Sequence, residues 1–114
     1  MRENTKSGAM TEVTFLVLLA TVTPRHGYAI MQFAAAQTNG RVNLGAGTLY
    51  GALDALEKRQ WIAATDSAGD TRKKAYAITT AGKEAAAAEL RRLQAISILA
   101  ESILGGCVND ETRV

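Results

Sequence analysis

The fold is decided by residues 43–60, Asn-Leu-Gly-Ala-Gly-Thr-Leu-Tyr-Gly-Ala-Leu-Asp-Ala-Leu-Glu-Lys-Arg-Gln. The apolar residues of this stretch recur at helical spacing. The residues that share one helical face are Leu49, Ala52, Leu53, Leu56 and Gln60. The opposite face carries Gly47, Gly51, Asp54 and Lys58, and the flanks carry Thr48 and Tyr50. The pattern predicts a helix with an apolar stripe against a core and small residues on its outer face.

The small residues at the start of this helix would let its backbone approach something large. Recognition helices of helix-turn-helix proteins need such an approach, because their N-terminal residues meet base edges and phosphates. Taken alone, the helix is more typical of an ordinary amphipathic surface helix. The residues that follow it favour the recognition helix.

Two short runs, residues 61–65 and 71–79, flank a Ser/Gly/Asp cluster at residues 66–70. This arrangement predicts a strand, a turn and a second strand. Three consecutive cations stand near the start of the second run: Arg72, Lys73 and Lys74. A helix followed directly by a hairpin with a basic tip is the winged-helix layout.

Residues 44–53, followed by Leu56-Glu57 and Trp61-Ile62, resemble the signature of the PadR family of bacterial transcriptional regulators. That family commonly reads Leu-Ser-Pro-Gly-Thr-Leu-Tyr-Pro-Ala-Leu here, then a Leu-Glu pair and a Gly-Leu-Ile-like start of the wing. Residues 26–30 resemble its His-Gly-Tyr-Glu-Ile, and residues 72–83 resemble its Arg-Arg-Lys-Tyr-Tyr-x-Leu-Thr-x-Ala-Gly-Arg. The resemblance runs from about residue 11 to residue 83 with its motifs in order. It implies a mainly α winged helix-turn-helix with a small β-hairpin and a long C-terminal dimerisation helix.

The chain departs from the family pattern at three positions of the recognition helix and one of the wing. Gly45 replaces Ser, and Ala46 and Gly51 stand where Pro is common. Gly51 inside the helix should cost roughly 1 kcal/mol relative to Ala. The helix is therefore expected to be soft at its start, and Asp70 dilutes the basic wing.

Length and charge are those of one small domain with an uneven charge distribution. The chain has 114 residues and a net charge of only +2. Residues 41–83 hold seven cations and four anions, whereas residues 84–114 hold three cations and five anions. A basic centre with an acidic C-terminal part fits a DNA face and a separate assembly element.

Cysteine and histidine content argues against a disulfide framework and a zinc site. Cys107 is the single cysteine and His26 the single histidine. The apolar run at residues 13–22 is shorter than the roughly 20 residues that span a bilayer, and no secretory signal is evident. We therefore expect a cytoplasmic protein without cofactor, metal or membrane contact. Residues 1–8 are expected to be a disordered extension and residues 108–114 a flexible tail.

Residues 10–22 are apolar on nearly every side, so propensity alone leaves a buried strand and a helix open. The family resemblance favours the helix. Such a helix must be covered, either as the centre of its own domain or by a second subunit that contacts Phe15 and Leu19.

The next helix follows Pro24 and ends at Asn39-Gly40. Residues 41–43 are short enough to form a single strand that pairs with the wing. His26 is expected to be a structural residue, and Trp61 a packing anchor at the base of the wing. Tyr50 is expected to pack its ring while its hydroxyl reaches a phosphate.

The last helix is predicted over residues 80–105 and is ended by Gly105-Gly106. At about 40 Å it is longer than the winged domain needs. Its apolar surface predicts dimerisation, with a helix folded back on its own domain as the alternative. The domain boundaries are then 9–79 for the DNA-binding domain and 80–107 for the dimerisation helix. The predicted dimerisation residues on this helix are Leu90, Leu93, Ile96, Ala100, Ile103 and Leu104.

The resemblance implies a homodimer built on the single C-terminal helix. Some relatives stack flat aromatic drugs on a tryptophan of that helix, but this chain has no aromatic residue after Tyr76. Any small-molecule effector is expected near the dimer interface, where it would change the spacing of the two recognition helices.

A symmetric dimer would present its recognition helices to successive major grooves of double-stranded DNA, about 34 Å apart, so an inverted-repeat operator is expected. The family resemblance alone implies repression. A winged helix used for protein–protein contact without DNA binding is the alternative. An enzyme is disfavoured, because there is no Gly-rich phosphate loop, no metal-ligand cluster and no histidine paired with a nucleophile. The predicted DNA-binding residues are Gly47, Thr48, Tyr50, Gly51, Lys58, Arg72, Lys73 and Lys74.

Overall fold

The computed structural model of the protein describes residues 8–65 and 74–112, with side chains as far as residue 105. It has the predicted fold class, a mainly α winged helix with a three-stranded antiparallel sheet in the order β1-β3-β2. Within the described residues no helix is both long enough and apolar enough to cross a bilayer. The elements in chain order are α1 (Glu12–Ala20), β1 (Arg25–His26), α2 (Gly27–Gln37), α3 (Ala46–Lys58), β2 (Ile62–Ala64), β3 (Ala75–Ile78) and α4 (Thr80–Thr112).

The ambiguous apolar run forms a helix, α1, as the resemblance implied. The Thr11 hydroxyl accepts a hydrogen bond from the Thr14 backbone N–H at 3.1 Å and caps its start. Val17 and Leu18 are completely buried, and α1 packs against α2, α3 and α4. Phe15 is only partly buried. The protein's own domain therefore covers most of α1 and leaves one side incompletely covered.

The turn after α2 forms where Asn39-Gly40 predicted it. Both residues take the left-handed conformation, with φ values of 53° and 80°. Residues 41–43 are not a strand, so that prediction is wrong. Instead, the Val42 N–H donates to the Thr38 hydroxyl at 3.0 Å, which satisfies the backbone locally. The third strand is β1, whose Arg25 and His26 pair with β3.

Three of the four predicted apolar residues on α3 are almost fully buried, and Ala52 is 7% exposed. The assignment of Gln60 to the same face is wrong. The helix ends before Gln60, which takes a left-handed φ of 63° and is exposed. The Trp61 N–H then donates back to the Leu56 carbonyl at 3.0 Å, which turns the chain into β2.

Thr79 and Gly82 join the base of the wing to α4. The Thr79 hydroxyl donates to the Gln60 carbonyl at 2.7 Å and accepts from the Gly82 N–H at 3.0 Å. A Cβ at Gly82 would lie 2.0 Å from the Trp61 carbonyl oxygen and 2.7 Å from an Ile78 side-chain carbon. Only glycine allows this approach of helix to wing.

Glu89 anchors the root of α4 to the segment that precedes α1. It is 3% exposed, and its carboxylate accepts from the Met10 N–H at 3.3 Å and from Arg92 Nε at 3.0 Å. The hydrogen bonds from Arg92 hold the pKa of Glu89 below its ordinary value despite burial. Stabilisation by this pair is therefore present at neutral pH and is lost as the pH falls through that lowered pKa.

Beyond this root, α4 leaves the domain. Its backbone continues through Gly105 to Thr112, so the predicted end at Gly105-Gly106 is wrong. Glycine lowers helix propensity by about 1 kcal/mol but still supplies its backbone hydrogen bonds. The radius of gyration of 17.0 Å exceeds the about 13 Å expected for a compact domain of this length, because the molecule extends over 64 Å.

Replacement of Gly82 by Ala should destabilise the fold by about 3 kcal/mol or more, because the clashing atom is a backbone carbonyl that cannot move aside. Gly51→Ala is the matched control, since a Cβ there meets nothing within 4 Å. It should stabilise the helix by up to about 1 kcal/mol. Urea unfolding measures both, and two variants of equal stability would contradict the close approach at Gly82.

Candidate nucleic-acid interface

The start of α3 is open to solvent. Gly45 occupies the N-cap position without a side-chain cap hydrogen bond. Gly47, Thr48 and Gly51 are exposed, and a Cβ at either glycine would meet nothing within 4 Å. The first turns of α3 therefore present backbone and small side chains, as the sequence predicted.

Tyr50 connects the flank of α3 to the start of α2. Its side chain is 42% exposed, and its hydroxyl oxygen lies 2.4 Å from where a Cβ on Gly27 would be. Gly27 therefore makes room for the tyrosine. Tyr28, which belongs to the family motif at residues 26–30, is 67% exposed.

A groove of about 540 Å³ runs along the α1 side of α3. Its walls are small or apolar and come from the starts of both helices. The missing side chains of the two glycines widen it. The lining residues are Thr11, Val13, Thr14, Gly47, Thr48, Gly51 and Ala52.

A second depression, of about 360 Å³, lies between α3 and the wing. It is lined by Tyr50, Asp54, Glu57, Lys74 and Tyr76, among others. Burial raises the pKa of Tyr76, and the negative charge of Glu57 adds to the effect. The phenol therefore stays protonated and serves as a packing anchor, while the wing side of α3 is partly acidic.

The remaining predicted cations are not gathered at the start of α3. Lys58 is exposed on the face of Gly47 but lies about 16 Å further along the helix axis. Lys74 immediately precedes β3, on the wing side. Arg72 and Lys73, with the predicted turn at residues 66–70, lie outside the described residues.

Two residues beside this surface were missed by the sequence patterns. Arg41, in the loop before α3, forms an ion pair with Glu12 at the start of α1. The two residues are 29 positions apart, so no local spacing reveals the pair.

The predicted dimerisation residues fall into two groups. Phe15, Leu19 and Leu93 line a groove of about 470 Å³ between α1 and the root of α4, together with Glu89 and Arg92. The others lie on α4 outside this groove, and most of them are about half exposed: Leu90 50%, Ile96 49%, Ile103 60% and Leu104 58%, with Ala100 partly buried.

The part of the chain that the structure describes holds no group of His, Cys, Asp and Glu side chains that could bind a metal ion. Trp61 is partly buried against the core, as predicted, with the Arg59 guanidinium 5.0 Å from its ring centroid. His26 is exposed and pairs through its backbone with Ala75.

Comparison with known proteins gives the same fold. The model of the transcriptional regulator PadR-like family matches residues 15–88 of the chain. This match confirms the resemblance inferred from the motifs. No curated protein matches the chain at a comparable level of significance.

Several solved structures are similar over most of the chain. A PadR family transcription regulator from Clostridium difficile has a TM-score of 0.67 at 22% identity, covering 82% of this chain and 99% of its own. A transcriptional regulator from Clostridium thermocellum has a TM-score of 0.65 at 21% identity, and the match covers 83% of this chain and 90% of that protein. A PadR-like transcription factor from Bacteroides fragilis has a TM-score of 0.62 at 20% identity, and the match covers 80% of this chain and 87% of that protein. At these identities the structures establish the shared fold.

Replacement of Gly47 or Gly51 by Ala should change stability and DNA affinity in opposite directions. Each added methyl should stabilise α3 by up to about 1 kcal/mol, because it meets nothing in the free protein. If this face lies close against DNA, the same methyl should weaken binding about tenfold through overpacking. Urea unfolding and fluorescence anisotropy with duplex DNA measure the two effects, and unchanged affinity would show that this face does not approach DNA.

Proposed function

Because the chain belongs to the PadR-like family of transcriptional regulators, we propose that it acts by binding an inverted-repeat DNA operator as a homodimer. The family consists of transcriptional regulators, so the chain is a regulator and not an enzyme. Repression is the proposed direction.

The observation that carries the DNA-binding proposal is the exposed, glycine-rich start of α3. Gly47, Thr48 and Gly51 form a surface without protruding side chains. Such a surface lets a helix end enter the major groove and bring its backbone N–H groups near phosphates. In this arrangement Thr48 and Tyr50 contact base edges or the backbone from the two flanks of the helix.

The cations then supply affinity rather than sequence discrimination. Lys58 lies toward the far end of α3, where it would meet the DNA backbone, and Lys74 lies on the wing side. Arg72 and Lys73 are proposed to follow Lys74 onto phosphates. Contacts of this kind position a protein on the duplex without reading its sequence.

The proposal of a homodimer is supported by the apolar surface of α4. Seven of the ten exposed large hydrophobic side chains in the described part of the chain lie on this helix, for example Ile98 at 67% and Leu99 at 58% exposed. A protruding helix with such a surface is typical of an interface. The groove beside Phe15, Leu19 and Leu93 extends this surface onto the domain. A small-molecule effector that binds near this interface would shift the population between dimer geometries.

Replacement of Lys74 by Ala should weaken binding to specific and random DNA alike. Loss of one phosphate contact should lower the slope of log affinity against log salt concentration by about 0.9. Arg91→Ala is the matched control, because it removes an exposed cation from α4. Anisotropy titrations over a salt series measure the slopes, and equal slopes for wild type and Lys74→Ala would exclude this residue from the interface.

Replacement of Ile96 by Glu should dissociate the proposed dimer. Each subunit would bury one carboxylate in the interface, which should cost roughly 4 kcal/mol per dimer. This energy corresponds to an increase of about a thousandfold in the dissociation constant of the dimer. Gln94→Glu, an exposed polar position on the same helix, is the control for added charge. Sedimentation velocity measures the assembly state, and a wild-type protein that is monomeric at micromolar concentration would refute the dimer.

A further inference from the structure

An exposed ion pair joins the first residue of α1 to the loop between α2 and α3. Arg41 Nη1 donates to Glu12 Oε1 at 3.0 Å, and Arg41 Nη2 donates to Glu12 Oε2. Guanidinium and carboxylate therefore meet through two parallel hydrogen bonds. Both side chains remain more than half exposed, at 62% for Arg41 and 54% for Glu12.

The pair lies at the edge of the candidate nucleic-acid interface. Thr11 and Val13, the chain neighbours of Glu12, line the groove that also contains Gly47 and Thr48. Arg41 lies in the short loop that leads into the start of α3. Glu12 itself lines the groove between α1 and the root of α4. The pair therefore lies between that groove and the surface proposed to face DNA.

The backbone around Arg41 is fixed, while its side chain is exposed. The Arg41 N–H donates to the Thr38 carbonyl at 3.0 Å, and the Asn43 side-chain amide donates to the Gly40 carbonyl at 2.6 Å. Val42 is buried beside them. Because these contacts hold the loop, the guanidinium can change partner by side-chain rotation alone.

A phosphate is a suitable alternative partner for this guanidinium. Arginine binds phosphate through the same paired hydrogen bonds that it makes with a carboxylate. An exposed ion pair contributes little to folding, so its loss is easily tolerated. The DNA backbone also offers a higher density of negative charge than a single carboxylate.

Building on the proposed function, we propose that Arg41 is a further contact to the DNA backbone and that its guanidinium passes from Glu12 to a phosphate when duplex DNA binds. Glu12 then competes with DNA for Arg41 and weakens binding to every sequence.

The test compares wild type, Glu12→Gln, Arg41→Ala and the double variant on a labelled duplex of arbitrary sequence, about 24 base pairs long to cover two half-sites. Glu12→Gln should bind about two- to fivefold more tightly, the factor that corresponds to an exposed ion pair. Arg41→Ala should lower the slope of log affinity against log salt concentration by about 0.9, because one phosphate contact is lost. Addition of Arg41→Ala to Glu12→Gln should abolish the gain in affinity. Thermal unfolding and sedimentation velocity should show that each variant keeps its fold and its assembly state.

Glu84→Gln is the matched control, because it removes an exposed carboxylate from α4 and changes the net charge equally. Equal behaviour of Glu12→Gln and Glu84→Gln would overturn the inference. The inference would also be overturned if the gain in affinity from Glu12→Gln persisted in full in the double variant. The Glu12 carboxylate would then act only by repelling DNA and not through Arg41. Failure of the wild-type protein to bind any duplex would instead refute the proposed function itself.

Discussion

Burial of the leucine face of α3 against the core around α1 is the interaction on which the arrangement of the other surfaces depends. Leu49, Leu53 and Leu56 are at most 1% exposed and pack in the same core as Val17 and Leu18. Once this face is buried, helical geometry turns the glycine face outward. It also places one flank of α3 beside the start of α1 and the other beside the wing. The candidate interface is therefore a consequence of core packing.

The long helix depends on a second constraint at its root. Gly82 lets the first turn approach the Trp61 carbonyl, and Glu89 fixes the third turn to the Met10 N–H. With its first three turns held by the domain, α4 has a defined direction as it leaves. An apolar helix held in this way presents its surface at a fixed angle to α3. This geometry would let one assembly surface set the spacing of two recognition helices.

Local placement of charge matters more in this protein than net charge. With a net charge of +2, attraction to DNA cannot come from bulk electrostatics. Four arginines in the described part of the chain have intramolecular partners: Arg41 with Glu12, Arg92 with Glu89, Arg59 with Trp61 and Arg25 with Phe33. Acidic side chains also line the wing side of α3. Such a distribution would favour binding that depends on close fit over binding driven by charge alone.

The sequence alone determined the elements whose signals are local. Helical spacing identified the buried face of α3, and Asn39-Gly40 marked the turn after α2, because periodicity and left-handed residues act within one or two turns of chain. Residue propensities left a strand and a helix open for α1, and the resemblance to the family correctly favoured the helix. Only the tertiary structure decided the third strand at Arg25, the exposure of Gln60 and the pairing of Arg41 with Glu12. The third strand and the ion pair depend on segments far apart in sequence that packing brings together, and no spacing along the chain encodes that proximity. The exposure of Gln60 follows instead from the point at which α3 ends, which helical periodicity did not mark.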